Sequence, residues 1–224
     1  MLKVYLYQVN KEDLARHAEE YLRALPAWRT QRYHRMKIES GKQEELAAGL
    51  LLRHALLDAA DMDLMTVEVT TNEHGKPMFS VPKDQPGGQI HFNISHSGGY
   101  VSVAVADCPV GVDVETNSDP DLKVTDRFYS AEEQAAVRGA KDPQKVFRRL
   151  WTRKEAYVKC TGTGIYNAVS EIPSLPDVSG EFLLITLKEE PEYTLSVVVK
   201  KVESENRTLD SLQISLDIVT KFDV

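Results

Sequence analysis

The order in which two kinds of apolar periodicity follow one another limits the fold of this chain more than any other feature. Residues 2–9 alternate apolar and polar positions as a strand does. Residues 12–25 and 43–60 have helical spacing, the second with Leu46, Gly49, Leu50, Leu52, Leu56 and Leu57 along it. A short β-branched strand is expected over 66–71, and the proline- and glycine-rich stretch 82–88 reads as a loop. Three strand patterns then follow without an intervening helix, over 90–94, 100–106 and 110–115, separated by Gly98-Gly99 and by the turn Asp107-Cys108-Pro109. Helices are predicted to start at Ser130, with Glu132 and Glu133 in the first turn, and at Pro143, the latter running to about Lys159. Strand patterns return over 181–187, 193–200 and 213–219. A doubly wound parallel sheet needs regular strand–helix alternation, so this order predicts an α+β fold with antiparallel sheets and packed helices.

Composition excludes several classes of function. A chain of 224 residues, 42% hydrophobic, can bury one substantial core or two small ones that share an interface. Lys and Arg total 27 against 34 Asp and Glu, a net charge of -7, which argues against a nucleic-acid or anionic-membrane partner. The longest apolar run, 46–52, ends at Arg53, far short of the roughly 20 residues of a membrane helix. The amino-terminal strand runs into Lys11, Glu12 and Asp13 with no apolar secretory segment, so a cytoplasmic protein is expected. Cys108 and Cys160 have neither metal-ligand nor disulfide spacing and read as reduced thiols.

Four short stretches carry chemistry. In Gly111-Val-Asp-Val-Glu115, strand alternation sends Asp113 and Glu115 to one side and Val112 and Val114 to the core. Such a pair either faces solvent or offers oxygen ligands to a hard cation. In Trp151-Thr-Arg-Lys-Glu-Ala-Tyr-Val-Lys159, helical spacing puts Trp151, Glu155 and Lys159 on one face, as a surface ion pair above a buried Trp or as part of a site. Phe92-Asn-Ile-Ser-His-Ser97 brings Asn93, Ser95 and Ser97 to one strand face, with His96 close before two glycines. His74-Gly-Lys-Pro77 reads as a turn presenting a lysine.

In this order and at these separations the four stretches resemble the motifs of the 4′-phosphopantetheinyl transferases, most closely the Sfp type of bacterial secondary metabolism. The resemblance is firm over about 76–164 and looser before it. It implies two similar α+β lobes, here 1–107 with the coenzyme A motifs and 108–224 with the magnesium and catalytic motifs, related by a pseudo-twofold axis with the active site between them. It also implies transfer of the phosphopantetheine arm of coenzyme A to a serine of an apo acyl or peptidyl carrier protein by a monomer; the alternative is a non-catalytic module that binds coenzyme A or the carrier. By resemblance, Asp113, Glu115 and Glu155 hold Mg2+, and Glu155, Lys159 and Asp113 are catalytic, Glu155 as candidate base. The pyrophosphate of coenzyme A falls to Lys159, its other phosphates to Lys76 and His96. Ser95, Ser97, His74, Gly75 and Pro77 complete the nucleotide pocket, and Arg29 and Arg32 approach the 3′-phosphate. One departure stands out: where many relatives carry a further arginine, this chain has Gln43, Glu44 and Glu45 with only Lys42 nearby. The run Lys141, Lys145, Arg148, Arg149, Arg153 and Lys154 is expected to meet an acidic carrier helix, and 116–128 to supply apolar contacts.

Overall fold

The computed structural model describes residues 1–80, 90–116, 122–164, 169–201 and 212–222. The first half comprises β1 (Leu2–Gln8), α1 (Lys11–Arg16), α2 (Ala18–Arg23), α3 (Ala27–Arg35), α4 (Glu39–Ala60), β2 (Val69–Thr71), β3 (Pro77–Phe79), β4 (His91–Ser97) and β5 (Tyr100–Ala106). The second comprises β6 (Val110–Thr116), α5 (Thr125–Phe128), α6 (Ala131–Gly139), α7 (Pro143–Thr161), β7 (Val178–Ser179), β8 (Phe182–Glu189), β9 (Tyr193–Lys200) and β10 (Ile214–Val219). One four-stranded sheet has the order β10-β1-β5-β4, the other β6-β9-β8-β7, and β2 and β3 form a separate hairpin. This is the expected α+β class.

Alternation along β1 and β5 explains how the layers stack. Tyr5, Tyr7, Val101, Val103 and Val105 pack on one side against Leu46, Leu50 and Leu51 of α4. Val4, Leu6, Ala104 and Ala106 meet Val112, Val114, Leu195 and Val197 of the second sheet on the other. The far face of that sheet, Leu184 and Val198, is covered by Ala156 and Cys160 of α7. The sheets are thus sandwiched between α4 and α7, and both faces of β1 and β5 are buried because each alternate set has its own apolar partner.

Three expectations change on contact with the fold. The helix expected over 12–25 is two short ones that break at His17, because Leu14 and Tyr21 are buried from separate pieces while the Tyr21 hydroxyl donates to Asp13. The strand expected from residue 66 begins only at Val69, the Thr66 hydroxyl instead donating to the Asp63 carbonyl. Pairing is antiparallel except between β1 and β10, which run parallel, so the last described strand completes the first sheet. The expected loop 82–88 lies outside the described residues, as does the 117–121 part of the expected carrier-contact segment 116–128. Among the described residues, no helix is long and apolar enough to cross a membrane.

Candidate active site

Three elements converge, and the sequence dictates how. Helix α7 starts where Asp142 accepts from the Lys145 amide, with Pro143 in its first turn, and ends at Gly162, whose φ of 70° is the left-handed value a side chain resists. Its middle lies directly on β6: a Cβ at Gly111 would stand 2.0 Å from the Ala156 carbonyl oxygen, so only glycine allows this approach. Strand β4 runs beside β6. These contacts bring Ser95, Asp113 and Lys159 together, with Lys159 Nζ donating to Asp113 Oδ1 at 2.6 Å and to Ser95 Oγ at 2.8 Å. Ser95 Oγ in turn donates to Asp113 Oδ1 at 2.9 Å. Ser97 Oγ donates to Glu115 Oε2 at 2.8 Å.

The electrostatics are lopsided. Burial, with Asp113 and Glu115 nearby, pushes Glu155 up to about 7 despite the opposing pull of Lys159. Burial and Asp113 also raise Glu115, against the hydrogen bond from Ser97. Asp113 is 2% exposed, and its Oδ2 is buried without a hydrogen-bond partner. Three carboxylates thus share one ammonium, and the orphaned oxygen and all-oxygen donor set suit a hard cation. Among the described residues, however, no three Asp, Glu, His or Cys side chains form a ready-made metal cluster. Lys159 already occupies the other oxygen of Asp113, which leaves Oδ2 as the oxygen open to a cation.

Glu155 and Lys159 line a cavity of about 230 Å³ together with His74, Gly75, Lys76, Pro77 and Asn93. A second cavity, of about 190 Å³, shares Gly75, Pro77 and Asn93 with it and adds Trp28, Arg29, Arg32, Glu45 and His96. Most of the residues singled out from sequence therefore border one two-part groove. Asn93, at the junction, was read onto the same strand face as Ser95 and Ser97 but was given no role in the site. Its Oδ1 accepts from the Val112 amide, which assigns the two ends of its amide and leaves the nitrogen for another partner.

Several expected phosphate contacts already have partners. Arg29, only 3% exposed, donates to the Glu45 carbonyl and pairs with Glu45 Oε1 at 2.9 Å; burial lowers it to about 10. Arg32 pairs with the same carboxylate at 2.8 Å. His96 Nδ1 lies 3.0 Å from Glu44 Oε2, and the other oxygen of Glu44 accepts from the Gly99 amide. Lys76 Nζ donates to the carbonyls of Cys160 and Val110, joining the β2–β3 hairpin to the end of α7 and the start of β6. The basic run on α7 needs correction. Arg153 and Lys154 are buried, Arg153 bonded to Asp177 and Thr186 and Lys154 to Glu133 and the carbonyls of Val169 and Ile172, so neither faces a carrier.

Comparison with known proteins agrees with this arrangement. A family profile described as "4'-phosphopantetheinyl transferase superfamily" matches residues 109–216, and one described as "4'-phosphopantetheinyl transferase, N-terminal" matches 14–108. The chain is 31% identical to 4'-phosphopantetheinyl transferase psf-1 of Bacillus pumilus over 170 residues, 70% of each protein. It is 25% identical over 209 residues to 4'-phosphopantetheinyl transferase Sfp of Bacillus subtilis (strain 168), covering 88% of this chain and 91% of that one. L-aminoadipate-semialdehyde dehydrogenase-phosphopantetheinyl transferase of Pongo abelii is 27% identical over 131 residues, 54% of this chain and 42% of that protein. With the groove, the acidic cluster and Lys159 falling within the matched regions, this chain belongs to the 4′-phosphopantetheinyl transferase superfamily and is of the Sfp type.

Proposed function

We propose that this chain moves the 4′-phosphopantetheine arm of coenzyme A onto a serine hydroxyl of an apo acyl or peptidyl carrier protein, releasing 3′,5′-ADP. The observation that carries the reading is that Glu155 and Lys159, the latter bonded to Asp113, line a groove that continues past Asn93 toward Arg32 and His96. Asp113, Glu115 and Glu155 would hold Mg2+, which when bound supplies positive charge to the pyrophosphate. The serine oxygen attacks the phosphorus that bears pantetheine, and the bond from that phosphorus to the oxygen of the departing 3′,5′-ADP breaks. Glu155 takes the serine proton, directly or through water. Lys159, on the same wall, stabilises charge on the leaving phosphate. His96 and Arg32 would meet the nucleotide end, exchanging Glu44 and Glu45 for phosphate.

The same reading has two lobes, 1–107 and 108–224, related by a pseudo-twofold axis, with β10 returned to the first sheet. The division between the two matched family profiles, at residues 108 and 109, supports that boundary. The enzyme would act as a cytoplasmic monomer serving secondary metabolism. The test is incubation of the pure protein with coenzyme A, Mg2+ and a panel of apo carriers, read by intact mass. A gain of one phosphopantetheine on at least one carrier, lost in EDTA, is the expected result. Coenzyme A binding without transfer across the panel would leave the non-catalytic binding module.

A further inference from the structure

Strands β4 and β6 are edges of different sheets, and no backbone ladder joins them. β6 pairs on its other side with β9, and β4 on its other side with β5. In a strand alternate amides point to alternate edges, so the amides of Val112, Val114 and Thr116 would be left without partners on the open edge of β6. Each is instead taken by a side chain of β4: Val112 N donates to Asn93 Oδ1 at 2.9 Å, Val114 N to Ser95 Oγ at 3.2 Å and Thr116 N to Ser97 Oγ at 3.4 Å. The separation is 19 residues in all three pairs, so the strands run parallel and in register. Two of the three hydroxyl or amide groups do a second job. Ser95 donates to Asp113, and Ser97 donates to Glu115.

From this we propose that Asn93, Ser95 and Ser97 form a side-chain ladder that stitches the two sheets together, and that Ser95 and Ser97 are positioning residues for Asp113 and Glu115. A hydroxyl has one proton to give and two lone pairs to accept with. Ser95 Oγ gives its proton to Asp113 and accepts from both Val114 N and Lys159 Nζ, so one hydroxyl ties the β6 amide to the carboxylate. Ser97 gives its proton to Glu115 in the same way. The strand spacing that puts every second residue on one face makes the ladder possible: Asn93, Ser95 and Ser97 rise in step with Val112, Val114 and Thr116, and Asp113 and Glu115 lie between the stitched amides. The ladder fixes where the two carboxylates stand relative to the first sheet and its share of the groove.

The metal half of this inference rests on the transferase reading; the stitching half does not. The test uses the full chain and its Ser95→Ala, Ser97→Ala and Ser97→Thr variants. Amide exchange is followed by NMR and Mn2+ affinity by EPR in the absence of coenzyme A. Ser95→Ala should lose protection selectively at Val114 and Ser97→Ala at Thr116, while amides between β6 and β9 keep theirs. Loss of a group that orients a ligand should raise the Mn2+ dissociation constant about tenfold or more. Ser97→Thr, which keeps the hydroxyl, should restore both protection and Mn2+ affinity. Should Ser95→Ala fail to fold, the half-buried Ser97 pair of variants decides the matter. Unchanged protection at the paired amides, or unchanged Mn2+ affinity, would overturn the proposal. A wild-type protein that binds no Mn2+ would instead overturn the metal reading, and with it the claim about the carboxylates, while the amide data would still confirm or refute the stitch.

Discussion

Helix α7 carries two lysines a little over one turn apart, and each meets a carboxylate, yet the two settings are opposites. Lys154 and Glu133 are 0% and 2% exposed at the side chain and every polar atom is matched: Nζ reaches Glu133 and two carbonyls, while Glu133 also accepts from Ser130 and Ser174. Lys159 and Asp113 also touch, but Glu115 and Glu155 add negative charge that no second cation among the described residues pairs with, and Asp113 Oδ2 has no hydrogen-bond partner among them. A balanced buried pair has nothing left to bind and serves the fold. An unbalanced one is held in place by its surroundings at a cost, and it gains by taking up a cation or a proton. One face of α7 is therefore architecture and the other is chemistry.

The largest effect expected to sharpen that contrast comes from Glu155→Gln. The change keeps size and removes the proton acceptor, so kcat at saturating Mg2+ should fall by about 10²–10⁴-fold, as is usual for loss of a general base. Near-wild-type kcat at high Mg2+ would reduce Glu155 to a metal ligand and move the base elsewhere. Lys154→Met tests the opposite face. It leaves Glu133 buried without its cation, which costs about 3–5 kcal/mol of stability. A matching fall in the urea midpoint is expected, with turnover per folded molecule retained; a loss of turnover in fully folded protein would erase the distinction between the two faces.

The two faces also differ in how readable they were beforehand. Spacing put Trp151, Glu155 and Lys159 on one helix face and Asp113 and Glu115 on one side of a strand, while their roles at a site came from the resemblance to the family's motifs. Both patterns are local and set by backbone geometry. The α+β class was legible for the same reason. Lys154 was read as surface because it is charged, although its place four residues from both Leu150 and Val158, each buried, put it on the apolar stripe. The partners of Arg29, Lys76 and Ser95 were not legible, since Glu45, Cys160 and Asp113 reach them only through tertiary packing. The return of β10 to the first sheet is a pairing between the two ends of the described chain, which no local pattern signals. Gly111 was visible as a motif glycine, but its cause, the carbonyl of Ala156 above it, required the helix to be in place.

A smaller effect follows from the imbalance itself and is seen without turnover. Glu155 has its pKa raised from 4.5 to about 7, so between those values the folded protein binds more protons there than the unfolded chain does. This group's contribution to stability therefore declines as pH rises through that window and its cost is complete above about 7; the whole term is at most roughly 3 kcal/mol. Denaturation of metal-free protein at a series of pH values should show wild type losing ground to Glu155→Gln from pH 4.5 upward, and Mg2+ should close the gap at high pH. Parallel curves for the two proteins would mean that Glu155 does not sense the neighbouring carboxylates and that the site is less crowded than the contrast requires.

The smallest effect concerns a third kind of pairing, one that is complete in the free protein and must be surrendered on binding. Glu44 holds His96 Nδ1 and the Gly99 amide. Unlike Glu133 it lies at the edge of the groove, with its partner His96 36% exposed at the side chain, so the pair belongs to the range of partly solvated ion pairs, about 0.2–1 kcal/mol. Removing the charge with Glu44→Gln frees His96 for phosphate and deletes one repulsive carboxylate, and coenzyme A should bind about two- to fivefold more tightly at low ionic strength, converging with wild type as salt screens the difference. Calorimetric titration at two salt concentrations measures it. Because the bond to the Gly99 amide can be kept by the Gln carbonyl oxygen, stability should change little. Weaker binding by Glu44→Gln would show that the Glu44–His96 pair presents the imidazole to the ligand instead of competing for it, and Glu44 would then belong with the balanced, architectural pairs of the molecule.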